Sequence, residues 1–166
     1  MPLRVPFDVN DERLRNDFLQ ELFPRALEPL QELAQPVWGH MSPRQMVEHL
    51  AWAFDLSTGQ RQTRCPVPEE KRERMKPFLY GNQPSPREFM NPALAAGLPA
   101  LTHPSLAVAK DALNAARRRF LDHSTSIEQA MHAHPIFGPL GREEWSRTHF
   151  KHVFHHLPQF GLIAAV

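Results

Sequence analysis

Proline is the residue type that most constrains the fold of this chain. The 166 residues include 17 prolines. A proline inside a helix costs about 3 kcal/mol or more, because it removes a donor and clashes with the preceding turn. Helices are therefore expected between the prolines, where apolar residues recur at spacings of three and four. The strand signal is nearly absent, so the sequence predicts an all-α fold.

The prolines and the apolar periodicity together predict where the helices lie. Pro24 and Pro29 are expected to kink or split the first helix. The start of the second is the clearest, because Ser42 is an N-cap, Pro43 takes the first helical position and Gln45 can return a hydrogen bond to the cap. The main helices are predicted at about 11–33, 42–58, 104 or 105–123 and 141–162, with shorter pieces near 69–79 and 126–132.

A proline-rich segment, 59–103, separates the second and third predicted helices. It is long for a connection inside a compact domain. We expect it to wrap over one end of the molecule, where it is a candidate lid. Main helices joined by one long crossover are typical of a four-helix bundle. With no repeat or boundary in the sequence, residues 1–166 are predicted to form a single domain.

Composition excludes several classes of function. Lys and Arg number 19 against 18 for Asp and Glu, a formal charge of +1, so no basic field favours a nucleic-acid partner. No stretch approaches the roughly 20 apolar residues of a membrane span, and the first residues lack the apolar core of a signal peptide. We therefore expect a cytoplasmic protein. The single cysteine, Cys65, excludes an internal disulfide and a thiolate cage, so any metal must be held by His and carboxylates.

The predicted last helix carries the strongest chemical pattern. His152 and His156 are four residues apart, so both rings can reach one ion from the same helix face. His149 borders that face and is a fallback ligand, whereas His155 is expected to point towards solvent. The spacing alone fits a metal site and structural packing equally well.

The predicted second helix adds a third histidine. His49 lies at the centre of its apolar face and is expected to point into the core. A buried neutral histidine needs partners for both ring nitrogens, and a metal ion supplies one of them. A hydrogen-bonded core histidine remains the alternative. Three imidazoles without a dedicated fourth ligand match an open zinc site and also suit nickel, iron or manganese.

Other residues on the same helix faces could complete the site. Gln45 and Gln159 are candidates for orienting a ligand or binding a substrate, although they could equally be ordinary polar positions. Glu48 is a weak candidate for a general base. The expected pocket walls, which could also be core residues, are Trp38, Met46, Trp52 and Phe137.

Two sequence blocks resemble the DinB-like (YfiT-type) superfamily, and most closely a branch of unknown function. The first is 38–51, which reads from Trp-Gly-His through Ser-Pro to His49-Leu-Ala, and the second comprises 134–140, Trp145 and 151–161. The resemblance implies a four-helix bundle whose metal is held by one histidine of the second helix and two of the last. These positions correspond to His49, His152 and His156. Pro158 departs from the expected regular helix and should bend it.

The resemblance also implies a function. Characterised members of the superfamily include transferases that use the metal to activate a low-molecular-weight thiol, and metal-dependent hydrolases. The leading hypothesis is therefore a metal-dependent transferase or hydrolase that acts on a small molecule. A second hypothesis is a stress-related or structural bundle that binds a metal or ligand without turnover. A third is a helical interaction module, as a homodimer, in which the histidines only pack.

Overall fold

The computed structural model describes residues 1–87, 89, 91, 94–122 and 130–166. Within these residues the chain is mostly helical, with a few short strands, which confirms the predicted class. The α-helices are α1 (Glu12–Asp17), α2 (Phe23–Leu27), α3 (Pro43–Ser57), α4 (Glu69–Met75), α5 (Leu106–Leu121) and α6 (Arg142–His156). The strands are β1 (Leu3–Val5), β2 (His132–His134), β3 (Gly138–Leu140) and β4 (Ile163–Ala165).

Helix α3 lies at the centre of the core and packs against both α5 and α6. It begins as predicted: the Ser42 hydroxyl accepts a hydrogen bond from Gln45 N–H, and the Gln45 side chain accepts one from Ser42 N–H. Because most of its residues are buried, α3 presents side chains to two neighbouring helices rather than to one. None of the helices in the described residues is long and apolar enough to cross a membrane.

The first predicted helix contains a π-helical turn, Phe18–Leu22, between α1 and α2. Pro24 follows this turn and has no N–H to donate to the carbonyls of Leu19 or Gln20. The Arg117 side chain supplies the donor instead, with Nη1 at 2.9 Å from Leu19 O and 3.1 Å from Gln20 O. Pro24 therefore changes the helix geometry and does not end the helix.

The predicted continuation of this helix to Leu33 is wrong. Helix α2 ends at Leu27, because Pro29 cannot supply the next helical donor. Beyond the end of α2, Lys110 Nζ donates to the carbonyls of Glu28 and Leu30. The side chain of Leu33 is 86% exposed and contributes nothing to the core.

The last predicted helix also ends early. Helix α6 stops at His156, and Leu157–Phe160 forms a 3₁₀ turn that contains Pro158. The bend expected at Pro158 is thus a change from an α-helix to a 3₁₀ helix. After Gly161, with a φ of 64°, the chain forms β4, which pairs in parallel with β1 from the opposite end of the sequence. Strands of three residues are too short for any periodicity to predict them.

The predicted third helix is α5, capped by Ser105. Its predicted last residue, His123, lies outside the described residues, as does most of the predicted piece at 126–132. Within the described part of that piece, His132 is the first residue of β2, so the helical assignment is wrong there. Strands β2 and β3 form an antiparallel hairpin.

The long connection contains the predicted short helix, as α4 followed by a 3₁₀ turn at Lys76–Leu79. The described chain then runs along α6. Lys151 Nζ donates to the main-chain carbonyls of Phe78, Gly81 and Gln83 at distances of 2.5 to 2.8 Å. One ammonium group therefore holds this part of the connection on α6, while its role as a lid stays a prediction.

Candidate metal centre

Helices α3 and α6 bring three histidine rings together. His49 Nε2 lies 2.9 Å from His152 Nε2, and His156 Nε2 lies 3.0 Å from the same atom. One ligand nitrogen from each residue falls within 4.8 Å of the others. The pair on α6 faces one way because its members are four residues apart, and the packing of α3 on α6 places His49 opposite them.

Burial keeps these rings neutral. It lowers the pKa of His49 to about 4, with the charge of His155 as a lesser cause. Burial also lowers the pKa of His152 and of His156 well below 6.5, and the charges of neighbouring histidines act in the same direction. His49 and His156 are buried, whereas His152 keeps some accessible surface. Neutral rings have a free lone pair, which is the form that binds a metal.

The Gln159 side chain decides which nitrogen of His156 carries the proton. His156 Nδ1 lies 2.7 Å from Gln159 Oε1, an acceptor, so Nδ1–H donates and Nε2 keeps its lone pair. That lone pair points at His152 Nε2, which also meets His49 Nε2. A ring nitrogen carries at most one proton and cannot form straight hydrogen bonds with both neighbours. A divalent cation accepts all three lone pairs, at about 2.0–2.1 Å each for zinc, so the donor set fits a metal.

Of the four residues expected as pocket walls, two tryptophans contact histidines of α3 and α6. The ring of Trp52 stacks on His49 with centroids 5.7 Å apart, and Trp38 packs edge-on against His155 at 5.1 Å. Met46 is fully buried in the core. Phe137 packs on His134 instead, at 4.8 Å.

The structure does not bring His149 into the cluster. Its Nε2 lies 2.8 Å from Ser57 Oγ, and the Ser57 hydroxyl donates to Phe54 O at 2.7 Å. Ser57 Oγ is therefore the acceptor for His149 Nε2–H. The His149 ring is stacked between Phe54 and Trp145 and is 1% exposed. It has the surroundings of a hydrogen-bonded core histidine.

His155 is half-buried, which corrects the expectation that it points into solvent. Its ring contacts Trp38 and His156, and it hydrogen-bonds to the main chain of Ser85. Helical periodicity could not predict this, because Trp38 and Ser85 both lie in irregular segments outside the helices. His155 thus links the cluster to the segment that runs along α6.

Glu48 and Gln45 are both occupied by main-chain groups. The Glu48 carboxylate accepts hydrogen bonds from Thr102 N–H and His103 N–H. Burial tends to raise the pKa of Glu48, but the hydrogen bonds from Thr102 and His103 outweigh it and lower the pKa. As an ionised group fixed ahead of α5, Glu48 is not placed to act as a general base. The Gln45 side chain is held in the capping box of α3.

The contacts of the turn before α3 were not predicted from the sequence. Val37 N–H donates to Gln159 O at 2.6 Å, and Gly39 packs against the Gln159 side chain. The Trp-Gly-His block was a signal for this segment, but nothing local connects it with a glutamine at the other end of the chain.

These features define a helical domain with a candidate three-histidine metal centre. A sequence model of the DinB superfamily matches residues 12–160, and the chain belongs to that superfamily. Neither a curated protein nor a solved structure shows a significant match to the chain. The matched range includes both helices that carry the histidines, and the narrower branch of unknown function stays a prediction.

Proposed function

We propose that His49, His152 and His156 bind one divalent metal ion through their Nε2 atoms. The observation that carries the proposal is the meeting of these three nitrogens on neutral rings, two of them buried and that of His152 partly accessible. Gln159 has the role of orienting His156, because a neighbour that accepts from Nδ1–H fixes both the tautomer and the ring. Zinc and nickel are the preferred ions for three imidazoles, and iron and manganese also suit them.

The reaction that we propose is a transfer of a low-molecular-weight thiol, or a hydrolysis, on a small molecule. Three neutral ligands leave the charge of the ion uncompensated, and such an ion lowers the pKa of a bound thiol or water. Because the Glu48 carboxylate is bonded to the main chain of Thr102 and His103, the proposal assigns no general base. His152 keeps some accessible surface, and this is the proposed side of approach for the small molecule.

A second candidate function is metal or ligand binding without turnover, in a stress-related or structural protein. The burial of His49 and His156 favours it, because closed sites are typical of structural metals. The cytoplasmic location and the homodimer remain predictions under either candidate.

Metal content tests the site itself. Protein purified without a tag should carry about one metal per chain, because the three histidines form one site. His152→Ala should abolish it, since two remaining imidazoles make a weak site. His103→Ala is the matched control, because His103 lies outside the cluster. Metal-free protein from several growth media that also fails to take up zinc or nickel would refute the site.

Turnover separates the two candidate functions. Metal-loaded protein would be assayed with a panel of thiols and electrophiles, and with simple ester and amide substrates. An enzyme should show turnover that disappears in His152→Ala and in chelated protein. Binding of thiols without turnover, over the whole panel, would favour the second candidate.

A further inference from the structure

The turn Val37–Gly39, which leads into α3, contacts the residue that orients a proposed metal ligand. Val37 N–H donates to Gln159 O at 2.6 Å, so the turn holds the main chain of Gln159. Gly39 lies against the other end of the same residue. A Cβ built on Gly39 would be 2.8 Å from Gln159 Nε2.

Gly39 is needed there for two separate reasons. Its φ is 80°, in the left-handed region that residues other than glycine rarely adopt. Its lack of a Cβ also leaves room for the Gln159 amide, whose Oε1 faces His156 Nδ1 while its Nε2 faces Gly39. Any side chain at Gly39 would press on the amide group that makes the hydrogen bond to His156.

Trp38, the residue between Val37 and Gly39, makes a third contact of the turn. Trp38 packs edge-on against His155, the neighbour of His156 in sequence. The turn therefore contacts residues on both sides of His156, namely His155 and Gln159. After two further residues, Ser42 begins the capping box of α3, the helix that carries His49.

We infer that the Val37–Gly39 turn is a positioning element for the metal site, which acts on His156 through Gln159. The inference rests on the proposed function and adds a residue, Gly39, that touches no histidine of the cluster. Its consequence is that metal affinity depends on the absence of a side chain at Gly39. Gln159, held at both ends, is in turn a positioning residue for the His156 imidazole.

The test measures Co²⁺ affinity and the Co²⁺ absorption spectrum in Gly39→Ala. Loss of an orienting partner commonly costs 10–100-fold in metal affinity, so we expect roughly tenfold weaker binding and a changed spectrum. Gly97→Ala is the matched control for backbone strain. Gly97 has a φ of 103°, but a Cβ there would meet nothing within 4 Å. Unfolding of the metal-free proteins in urea would reveal any purely structural effect.

A double-variant cycle decides whether Gly39 acts through Gln159. Gln159→Ala should itself weaken binding about tenfold or more, and Gly39→Ala in that background should weaken it no further. Unchanged Co²⁺ affinity in Gly39→Ala, or an equal loss in Gly97→Ala, would overturn the inference while leaving the metal site standing. Wild-type protein that binds no Co²⁺ would overturn the proposed function as well.

A folding failure is also informative. If Gly39→Ala does not fold, the double variant with Gln159→Ala should fold, because the contacting amide is gone. A double variant that stays unfolded would show that the strain at Gly39 is independent of Gln159, and would overturn the inference.

Discussion

His134 shows how burial and a local turn together set the chemistry of one residue. Its Nδ1 accepts hydrogen bonds from Ile136 N–H at 3.1 Å and Phe137 N–H at 3.3 Å, in the turn between β2 and β3. Accepting at Nδ1 requires the neutral ring. Burial lowers the pKa of His134 to about 3. Protonation of this residue is therefore coupled to unfolding.

We expect His134→Asn to reduce the dependence of stability on pH. The folded pKa lies below the unfolded value, so this contribution to stability is complete above pH 6.5 and is lost as the pH falls towards 3. At pH 5 the loss amounts to about 2 kcal/mol. An Asn oxygen can still accept from Ile136 N–H but does not titrate.

Urea unfolding at pH 7 and pH 5 measures the effect of His134→Asn. Between these pH values the wild type should lose about 2 kcal/mol more than the variant. The other buried histidines contribute equally to both proteins, so they cancel. Equal losses in the two proteins would contradict the assignment to His134.

At the scale of elements, the first helix survives an internal proline because a distant side chain replaces its donor. Pro24 has no N–H to donate to the carbonyls of Leu19 or Gln20, and Arg117 from α5 bonds to both. Arg117 is 5% exposed, and its bond to Leu19 O is buried, whereas its bond to Gln20 O is partly buried. The π-helical turn and α5 are in this way joined by one guanidinium group.

Arg117→Met should therefore destabilise the protein by about 2–3 kcal/mol, because one buried and one partly buried carbonyl lose a charged donor while the apolar stem is kept. Arg118→Met is the matched control: Arg118 is the next residue and is exposed. It should change the free energy of unfolding by less than about 0.5 kcal/mol. Urea unfolding compares the two variants, and equal effects would show that the carbonyl contacts do not matter.

At the scale of the whole molecule, the long connection is held on the last helix by a row of basic side chains. Lys151 bonds to three carbonyls, Arg147 lies over the ring of Tyr80 at 4.5 Å, and His155 bonds to the main chain of Ser85. These residues are spaced by four along α6 and so form one stripe. Basic residues at this spacing are typical of a solvent-exposed helix face, but in the folded chain this face of α6 packs against the long connection.

Lys151→Met should release this part of the connection without unfolding the protein. The amides of Tyr80 and Gly81, which bond to Pro77 O, should exchange hydrogen at least about tenfold faster, because the charged donor that holds their turn is lost. Lys110→Met is the control, since Lys110 also bonds to main-chain carbonyls but in the segment after α2. Hydrogen exchange read by mass spectrometry would contradict the prediction if 78–83 exchanged equally in both variants.

The sequence by itself determined the parts of this protein that depend on neighbouring residues. The start of α3 follows from Ser42, Pro43 and Gln45, and the common face of His152 and His156 follows from their spacing. These features were predictable because capping and helix periodicity act over three or four residues. The three histidines of the candidate site were proposed on this basis, with the superfamily resemblance.

Only the tertiary structure decided what those residues meet. His49 and His152 are 103 positions apart, Arg117 and Leu19 are 98 apart, and Lys151 and Phe78 are 73 apart. Such contacts depend on how helices pack and how irregular connections lie, and neither leaves a local pattern. For this reason the first and last helices were predicted too long, and the pairing of β1 with β4 was not predicted. The partners of Glu48, His155 and Gly39 were not predicted either. A side chain's direction is a local property, whereas its partner is a property of the folded chain.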